Sequence, residues 1–393
     1  MLLVKKIIEF IEEIEEEVIA LRRDLHRYPE LGFAEQRTSQ KVSDYLTDLG
    51  LVVEEVAETG VVGTLEVGPG PTLALRADMD ALPITEQTDV TYKSESEGVM
   101  HACGHDGHTA ILLATAKVLT EFQDSLTGTI KFIFQPAEEG PGGAQPLIEA
   151  GVLEKPQVDN IFGLHINNQL PTGTIGVQKS AVSAAADEIN LTVIGESGHA
   201  STPQRGTDAI YIAGEIVTSL QSVISRRIDP HQTAVINLGT IEGGYRRNVI
   251  ADKVKITGTV RTTDPDLREK MPIEIERIIK GIASSQGADY ELEYNFGYPV
   301  LINNTALVEK ITAKLRTNNY FDNIKYLPRP SMGAEDFAYY LQKVPGVFFR
   351  LGAGGLDCNY YDAHHAKFNF DEAALKEGVI LFAVITLFRT KDF

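Results

Sequence analysis

The strongest restriction on the fold is where the reactive residues fall: each follows directly on a short apolar run of β character. Residues 61–67 and 72–77 are two such runs, split by Gly68-Pro69-Gly70-Pro71, and the second leads into Asp78-Met79-Asp80. The run at 129–135 leads into Glu138-Glu139, and the run at 160–166 carries His165 near its end. Helical periodicity lies between the runs. Strands alternating with helices imply an α/β fold with a mostly parallel sheet, and such sheets bind ligands beyond the carboxyl ends of their strands. Helix capping could account for one or two of these acids and the histidine, but not for all five.

The segment His101-Ala-Cys-Gly-His-Asp-Gly-His108 sharpens the point, with three histidines, a cysteine and an aspartate in eight residues. Buried polar groups need partners, and one metal can serve several at once. Cys103 and His105 are two apart, so an extended segment would project both to one side, toward a shared cation. Residues 109–122 then read as a helix, with Ile111, Leu112, Val118, Leu119 and Phe122 at helical spacing. That places the histidine-rich segment on the loop entering the helix.

A chain of 393 residues exceeds the roughly 250–300 at which single cores stop growing, so two domains are expected. Before the first strand, residues 5–49 carry a helical stripe (Ile7, Ile11, Ile14, Val18, Leu21) broken at Tyr28-Pro29-Glu30-Leu31-Gly32. His26, at the end of the first helix, reads as a capping or core histidine. From about residue 184 the texture changes to strand 188–195, helix 207–226, strands 233–242 and 253–263, helix 266–283 and strand 288–295. This β-α-β-β-α-β order matches a ferredoxin-like split unit, with polar and apolar residues alternating along each strand. The α/β texture then resumes with helices at 305–317 and 334–342, a strand at 347–351, His364-His365 and a helix from residue 371. The expected organisation is a catalytic domain of residues 1–183 and 298–393 interrupted by a second domain at 184–297.

A formal net charge of −19 argues against nucleic acid or an anionic membrane as partner, since both need Lys and Arg. No apolar run approaches the about 20 residues of a membrane span. The opening residues lack the apolar core and small-residue cleavage site of a signal peptide. With two cysteines, one of them in the histidine-rich segment, a disulfide framework is not expected. A cytoplasmic location and a small-molecule partner follow as expectations.

Cys103, His105, Glu139, His165 and one of His364 and His365 form the candidate ligand set. Five ligands exceed one tetrahedral site but suit two cations about 3.5–4 Å apart with a bridging ligand. Adjacent Glu138 and Glu139 diverge at a strand end, so one can bind metal while the other serves as base toward the bound water.

Several motifs together carry a resemblance: the histidine-rich segment, Gln135-Pro-Ala-Glu-Glu139, Gly163-Leu-His165, Ser197-Gly-His-Ala-Ser201, Asn248-Val-Ile, Gly258-Thr-Val-Arg261 and Met332-Gly-Ala-Glu-Asp-Phe337. The chain resembles the metallo-amidohydrolase family of aminoacylases and related carboxypeptidases over nearly its whole length. The nearest branch is that of auxin-conjugate hydrolases, hippurate hydrolases and N-acetyl-diaminopimelate deacetylases. The resemblance implies a catalytic domain with a dinuclear site and an inserted lid domain that also mediates dimerisation. It makes Cys103 the bridging ligand, with His105 and His165 on one metal and Glu139 and His364 on the other. Glu138 becomes the general base. His199 would donate to the tetrahedral oxyanion, and Asn248 and Arg261 would hold the substrate carboxylate or acyl oxygen. Glu335 would lie near the substrate or act as a first-turn helix acid, and Asp80 would orient a ligand histidine. His101, Asp106 and His108 would stand behind the ligands or at the helix start. Departures from the family pattern at Asn167-Asn168, Arg246-Arg247 and His365-Ala366 leave the reaction class intact but open the choice of substrate.

The expected reaction is hydrolysis of an amide in an N-acyl amino acid or small dipeptide by metal-activated water. Two divalent cations, zinc or manganese first and cobalt or nickel next, are expected as cofactors. The assembly would be a homodimer through the lid, with a tetramer as the alternative. The rival readings are a cysteine amidase using Cys103 and a non-catalytic metal- or peptide-binding protein on a hydrolase scaffold.

Overall fold

The computed structural model describes residues 2–317, 321, 323–356 and 360–391. The chain forms two compact units: one comprises Met1–Ser180, Asn303–Pro328 and Tyr339–Phe393, the other Ala181–Ile302 and Arg329–Ala338. The first unit begins with α1 (Leu2–Glu13), α2 (Glu15–Arg27) and α3 (Gln36–Asp48), then β1 (Val52–Val56), β2 (Gly60–Glu66) and β3 (Thr72–Asp78). It continues with α4 (His105–Glu121), β4 (Thr129–Gln135), α5 (Ala144–Glu149), β5 (Asn160–Asn167) and β6 (Thr174–Val177). The second unit contains β7 (Ala181–Ser183), β8 (Ala185–Ile194), β9 (Gly198–His199), α6 (Ala209–Ser222), β10 (Ala234–Gly243), β11 (Val249–Ile250), β12 (Lys253–Thr262), α7 (Pro265–Ser285), β13 (Asp289–Asn295) and β14 (Leu301–Ile302). Then follow α8 (Thr305–Thr317), β15 (Asn323–Tyr326), α9 (Ala338–Leu341), β16 (Gly346–Gly352) and α10 (Ala373–Lys391).

The first unit is built on one sheet in the order β1-β2-β4-β3-β5-β16-β6-β15. Its centre, β4-β3-β5-β16, is parallel throughout. Strands β3 and β4 are buried along their full length, which is why they read as continuous apolar runs. Helix α4 is buried on nearly every side and packs against α2, α10 and β3. The parallel arrangement carries the ends of β3, β4 and β5, with their acids and His165, to one edge of the sheet.

Three short strands, β1, β6 and β15, extend the sheet beyond what the sequence periodicity announces. The helix expected at 334–342 is limited to α9, because the preceding segment pairs as extended chain. Ser331 N donates to Val182 O and Ala184 N to Ser331 O, both at 2.9 Å. The second unit is a four-stranded antiparallel sheet in the order β10-β12-β8-β13, with α6 and α7 closing a core of Leu191, Val193, Ile216, Leu220, Met271 and Ile275. Asp208 caps α6 through the amides of Ile210 and Tyr211, and Asp264 caps α7 through the Leu267 amide with Pro265 in the first turn. Among the described residues no helix is long and apolar enough to cross a membrane.

A buried polar network ties remote segments of the first unit together. Arg22 of α2 is fully buried. Its Nε donates to Asp106 Oδ2 at 2.8 Å, Nη1 to Tyr92 Oη at 2.8 Å and to Glu372 at 3.1 Å, and Nη2 to Asn369 Oδ1 at 2.9 Å. The guanidinium also lies 4.3 Å from the Phe370 ring centroid. His26 completes the network between Asp106 Oδ2 at 2.8 Å and Glu86 Oε1 at 3.3 Å. Burial and Arg22 lower its pKa, but the two hydrogen-bonding carboxylates outweigh them and raise it above the ordinary histidine value. A histidine with a raised folded-state pKa contributes stability that is fully present below the unfolded value, about 6.5. That contribution disappears as pH rises through the folded value. The unfolding free energy of wild type minus that of His26→Gln should therefore shrink as pH is raised from 6 toward 9 in urea titrations. A difference that stays constant with pH would show that folding leaves the His26 pKa unshifted, and one that grows with pH would show His26 neutral in the fold.

Candidate metal centre

The centre forms where β3, β4, β5 and the start of α4 meet. Cys103 and His105 do not lie on an extended segment, as their spacing suggests. Gly104 between them takes the left-handed conformation at φ 93°, and His105 is the first residue of α4. Glycine adopts that conformation without the cost a side chain would add. Gly107, one turn on, allows close packing: a Cβ there would stand 2.7 Å from Phe370 Cζ and 2.8 Å from Ile166 Cδ1. Two residues with side chains also take positive φ at this edge, Ala137 at 53° and His364 at 67°. Such conformations persist where surrounding structure holds them, and they concentrate at functional sites. Hydrogen bonds hold both: Ala137 N donates to Glu35 Oε1 at 2.9 Å, and His364 N to Ala102 O at 2.7 Å.

The donor atoms fall into two triads with one common member. Cys103, His105 and His165 form one, and Cys103, Glu139 and His364 the other, each with its ligand atoms within 4.8 Å of one another. Cys103 Sγ lies 3.3 Å from His165 Nε2, and Glu139 Oε1 lies 2.9 Å from His364 Nε2 and 4.0 Å from His105 Nε2. Glu138 joins His105 and Glu139 in a further cluster of the same size. His365 turns elsewhere: its ring stacks on Tyr361 with centroids 4.2 Å apart, and its Nδ1 accepts from Lys367 N at 3.0 Å.

Asp80 organises two of these ligands. His105 Nδ1 donates toward its backbone oxygen at 2.9 Å and its Oδ1 at 3.1 Å. Its Oδ2 accepts from Glu139 N at 2.9 Å. With Nδ1 engaged, His105 presents Nε2 to the centre. His105 Nε2 is buried without a hydrogen-bond partner, an arrangement that costs free energy unless a cation completes it. The set of thiolate, imidazole and carboxylate donors suits divalent zinc or manganese. On these grounds the residues fit two divalent cations, Cys103 being common to both triads.

The electrostatics are those of ligands awaiting a positive charge. Burial and Glu139 push the Cys103 thiol well above its ordinary value. Burial opposes protonation of His105, but Asp78 and Asp80 raise it well above the usual histidine range. Burial, His108 and Arg350 hold His165 well below that range, leaving its Nε2 lone pair available. Glu139 raises His364. Cys103 is common to both triads, a place that suits a shared metal ligand. His101 is buried with neither ring nitrogen hydrogen-bonded, and burial pushes its pKa down to about 4.

The remaining candidates lie in the second unit. β9 and β11 pair Val249 with His199, and Ala200 N donates to Asn248 O at 3.2 Å, so His199 and Asn248 are neighbours. Ser201 N donates to His199 Nδ1 at 3.1 Å, which leaves the ring proton on Nε2. Arg261 lies on β12 between Val235 of β10 and Ala186 of β8. Glu335 is buried and its Oε1 accepts from Phe337 N at 3.0 Å, at the turn into α9. Sequence reasoning does not single out Arg22 or Arg76, although a fully buried charge inside an apolar stripe or strand is itself a signal that a partner must exist.

The profile of peptidase family M20/M25/M40 matches residues 74–387. The chain belongs to that family, whose members hydrolyse amide bonds. Among its relatives, thermostable carboxypeptidase 1 of Saccharolobus solfataricus is 40% identical over 98% of both chains. The N-acyl-L-amino acid amidohydrolase of Geobacillus stearothermophilus is 43% identical over 76% of this chain and 81% of its own. The solved YXEP protein of Bacillus subtilis, described as a dinuclear metal-binding peptidase of the M20 family, superposes with a TM-score of 0.86 at 34% identity, covering 97% of this chain and all of its own.

Because Cys103 is common to both triads, its loss should affect both cations and the loss of His364 only one. After zinc loading and gel filtration, elemental analysis should find about one cation per chain in His364→Ala and well under one in Cys103→Ala. Equal zinc content in the two variants would argue against a shared thiolate.

Proposed function

We propose that this protein hydrolyses the amide bond of N-acyl amino acids or short peptides, with two divalent cations held by Cys103, His105, Glu139, His165 and His364. The observation that carries the reading is the pair of ligand triads sharing Cys103, with the carboxylate of Glu138 beside them. Zinc is favoured by the thiolate, while manganese suits the carboxylate and imidazoles. The bound cations would supply Lewis acidity, lowering the pKa of a water and polarising the scissile carbonyl.

Glu138 takes the proton of the attacking water and returns it to the departing amine. Asp80 holds His105 and Glu139 in register during this exchange. His199, with its proton on Nε2, donates to the oxygen that becomes negative in the tetrahedral intermediate. Asn248 and Arg261 bind the carboxylate or acyl oxygen of the substrate, and Glu335 would lie near that substrate. The similarity to an N-acyl amino acid amidohydrolase and a carboxypeptidase supports a substrate with an amide next to a free carboxylate, for which the planar fork of Arg261 is suited.

The assembly we propose is a homodimer through the second unit. Support comes from β10, one of the two outer strands of its sheet, which among the described residues pairs with β12 alone. Its residues Val235 and Ile241 are 41% and 56% exposed. A long edge strand with exposed apolar residues is a ready template for pairing with a second copy.

Treatment with EDTA should abolish turnover of N-acyl amino acids, with zinc, manganese or cobalt restoring it; full activity in metal-free protein would defeat the reading. Glu138→Gln should keep both cations and lose about 10²–10⁴-fold in kcat, whereas normal turnover would remove Glu138 from the base role. For the assembly, the double variant Val235→Lys/Ile241→Lys should sediment as a monomer in ultracentrifugation, and an unchanged dimer would place the interface elsewhere.

A further inference from the structure

His108 follows the two ligands of the histidine-rich segment but belongs to neither triad. It is 1% exposed, and behind it Asp78 and Arg76 are 0% and 1% exposed. Arg76 Nη1 donates to Asp78 Oδ2 at 2.6 Å. His108 Nδ1 lies 2.6 Å from Asp78 Oδ1, and Ile166 N donates to His108 Nε2 at 2.9 Å. His165 Nδ1 in turn donates to Ile166 O at 2.7 Å. Its Nε2 is thereby turned toward Cys103 Sγ, 3.3 Å away.

Each bond fixes the next. An amide N–H can only donate, so Nε2 of His108 must be the acceptor and its single ring proton must sit on Nδ1. That proton is what Asp78, acceptor-only when ionised, requires. Arg76, His105 and His108 surround the Asp78 carboxylate. The pair Asp78–His108 therefore grips the amide of Ile166. The carbonyl of the same residue sets both the tautomer and the ring angle of His165.

We infer that His108 is a positioning residue for the metal centre: it acts through the Ile166 backbone to hold His165 in the tautomer and orientation that coordination needs. The inference rests on the proposed dinuclear site. Outer hydrogen bonds of this kind change metal affinity by about 10–100-fold when removed, and the effect should fall on the cation held by His165. A histidine that merely filled the core would influence stability without distinguishing the two cations.

The test combines metal titration with tautomer measurement on the full chain. Wild type, His108→Phe and His108→Gln would be made metal-free and titrated with Co²⁺, following the visible bands and the heat of binding. Gln retains an oxygen that can accept from the Ile166 amide, whereas Phe cannot. The expected result is two tight cations in wild type and one weakened about 10–100-fold in His108→Phe. In His108→Gln the affinity should return most of the way, and kcat should follow the weakened cation while KM stays nearly constant. Equal affinities for both cations in wild type and His108→Phe would overturn the inference, as would a His108→Gln variant as weak as His108→Phe. Long-range ¹H–¹⁵N spectra of histidine-labelled wild type decide the matter even if the Phe variant fails to fold. A His108 proton found on Nε2 would overturn the inference, and one on Nδ1 would support it. Wild type binding no cation would bring down the dinuclear reading itself, and this inference with it.

Discussion

The centre depends on the carboxylate of Asp80, just past the end of β3. One oxygen meets His105 Nδ1 at 3.1 Å and the other takes the Glu139 amide at 2.9 Å. It thus couples the start of α4 to the loop after β4. A carboxylate can serve both because β3 and β4 are parallel, so their ends emerge side by side. The general consequence is that ligand geometry here is inherited from strand register. A shift of one residue in β3 would place the Asp80 side chain on the opposite face of the sheet and separate the ligands.

The positive-φ conformations of Gly104, Ala137 and His364 serve the same end. Strands and helices direct side chains along fixed periods, and three ligand-bearing segments that must converge within a few ångströms cannot all do so from regular structure. Two of the three are held through their own amides, His364 N donating to Ala102 O and Ala137 N to Glu35 Oε1.

Much of this organisation is legible in the sequence, and the illegible part has identifiable causes. Runs 72–77, 129–135 and 160–166 are almost wholly apolar because both faces of their strands are covered, so both their identity and the functional weight of their ends are visible. The β-α-β-β-α-β order of the inserted segment is visible because its helices carry strong caps and its strands alternate. β1 and β15 are obscure because short, partly polar edge strands differ little from loops, and β6 because four residues are too few to show a period. The local geometry of Cys103 and His105 is also obscure: a two-residue spacing suits an extended segment as well as a left-handed turn, and only packing against Phe370 and Ile166 selects the turn. Least visible are the polar contacts that span large sequence separations, such as Arg22 with Asn369 or His108 with Ile166. Neither residue type nor local periodicity encodes a partner hundreds or dozens of residues away.

The Arg22 network carries a further implication for the order in which the protein can become competent. Arg22, Tyr92 and Asp106 emerge early in synthesis, while Asn369 and Glu372, their partners on the same guanidinium, emerge near the end, alongside the ligand His364. During translation the early groups must remain solvated or provisionally paired, since a buried arginine lacking its acceptors would be strongly unfavourable. The closing of the network therefore waits on the same late-made segment of chain that carries His364. On the proposed ligand set, a nascent chain that has made Cys103, His105, Glu139 and His165 still lacks one donor of the second triad until the segment carrying His364 is made.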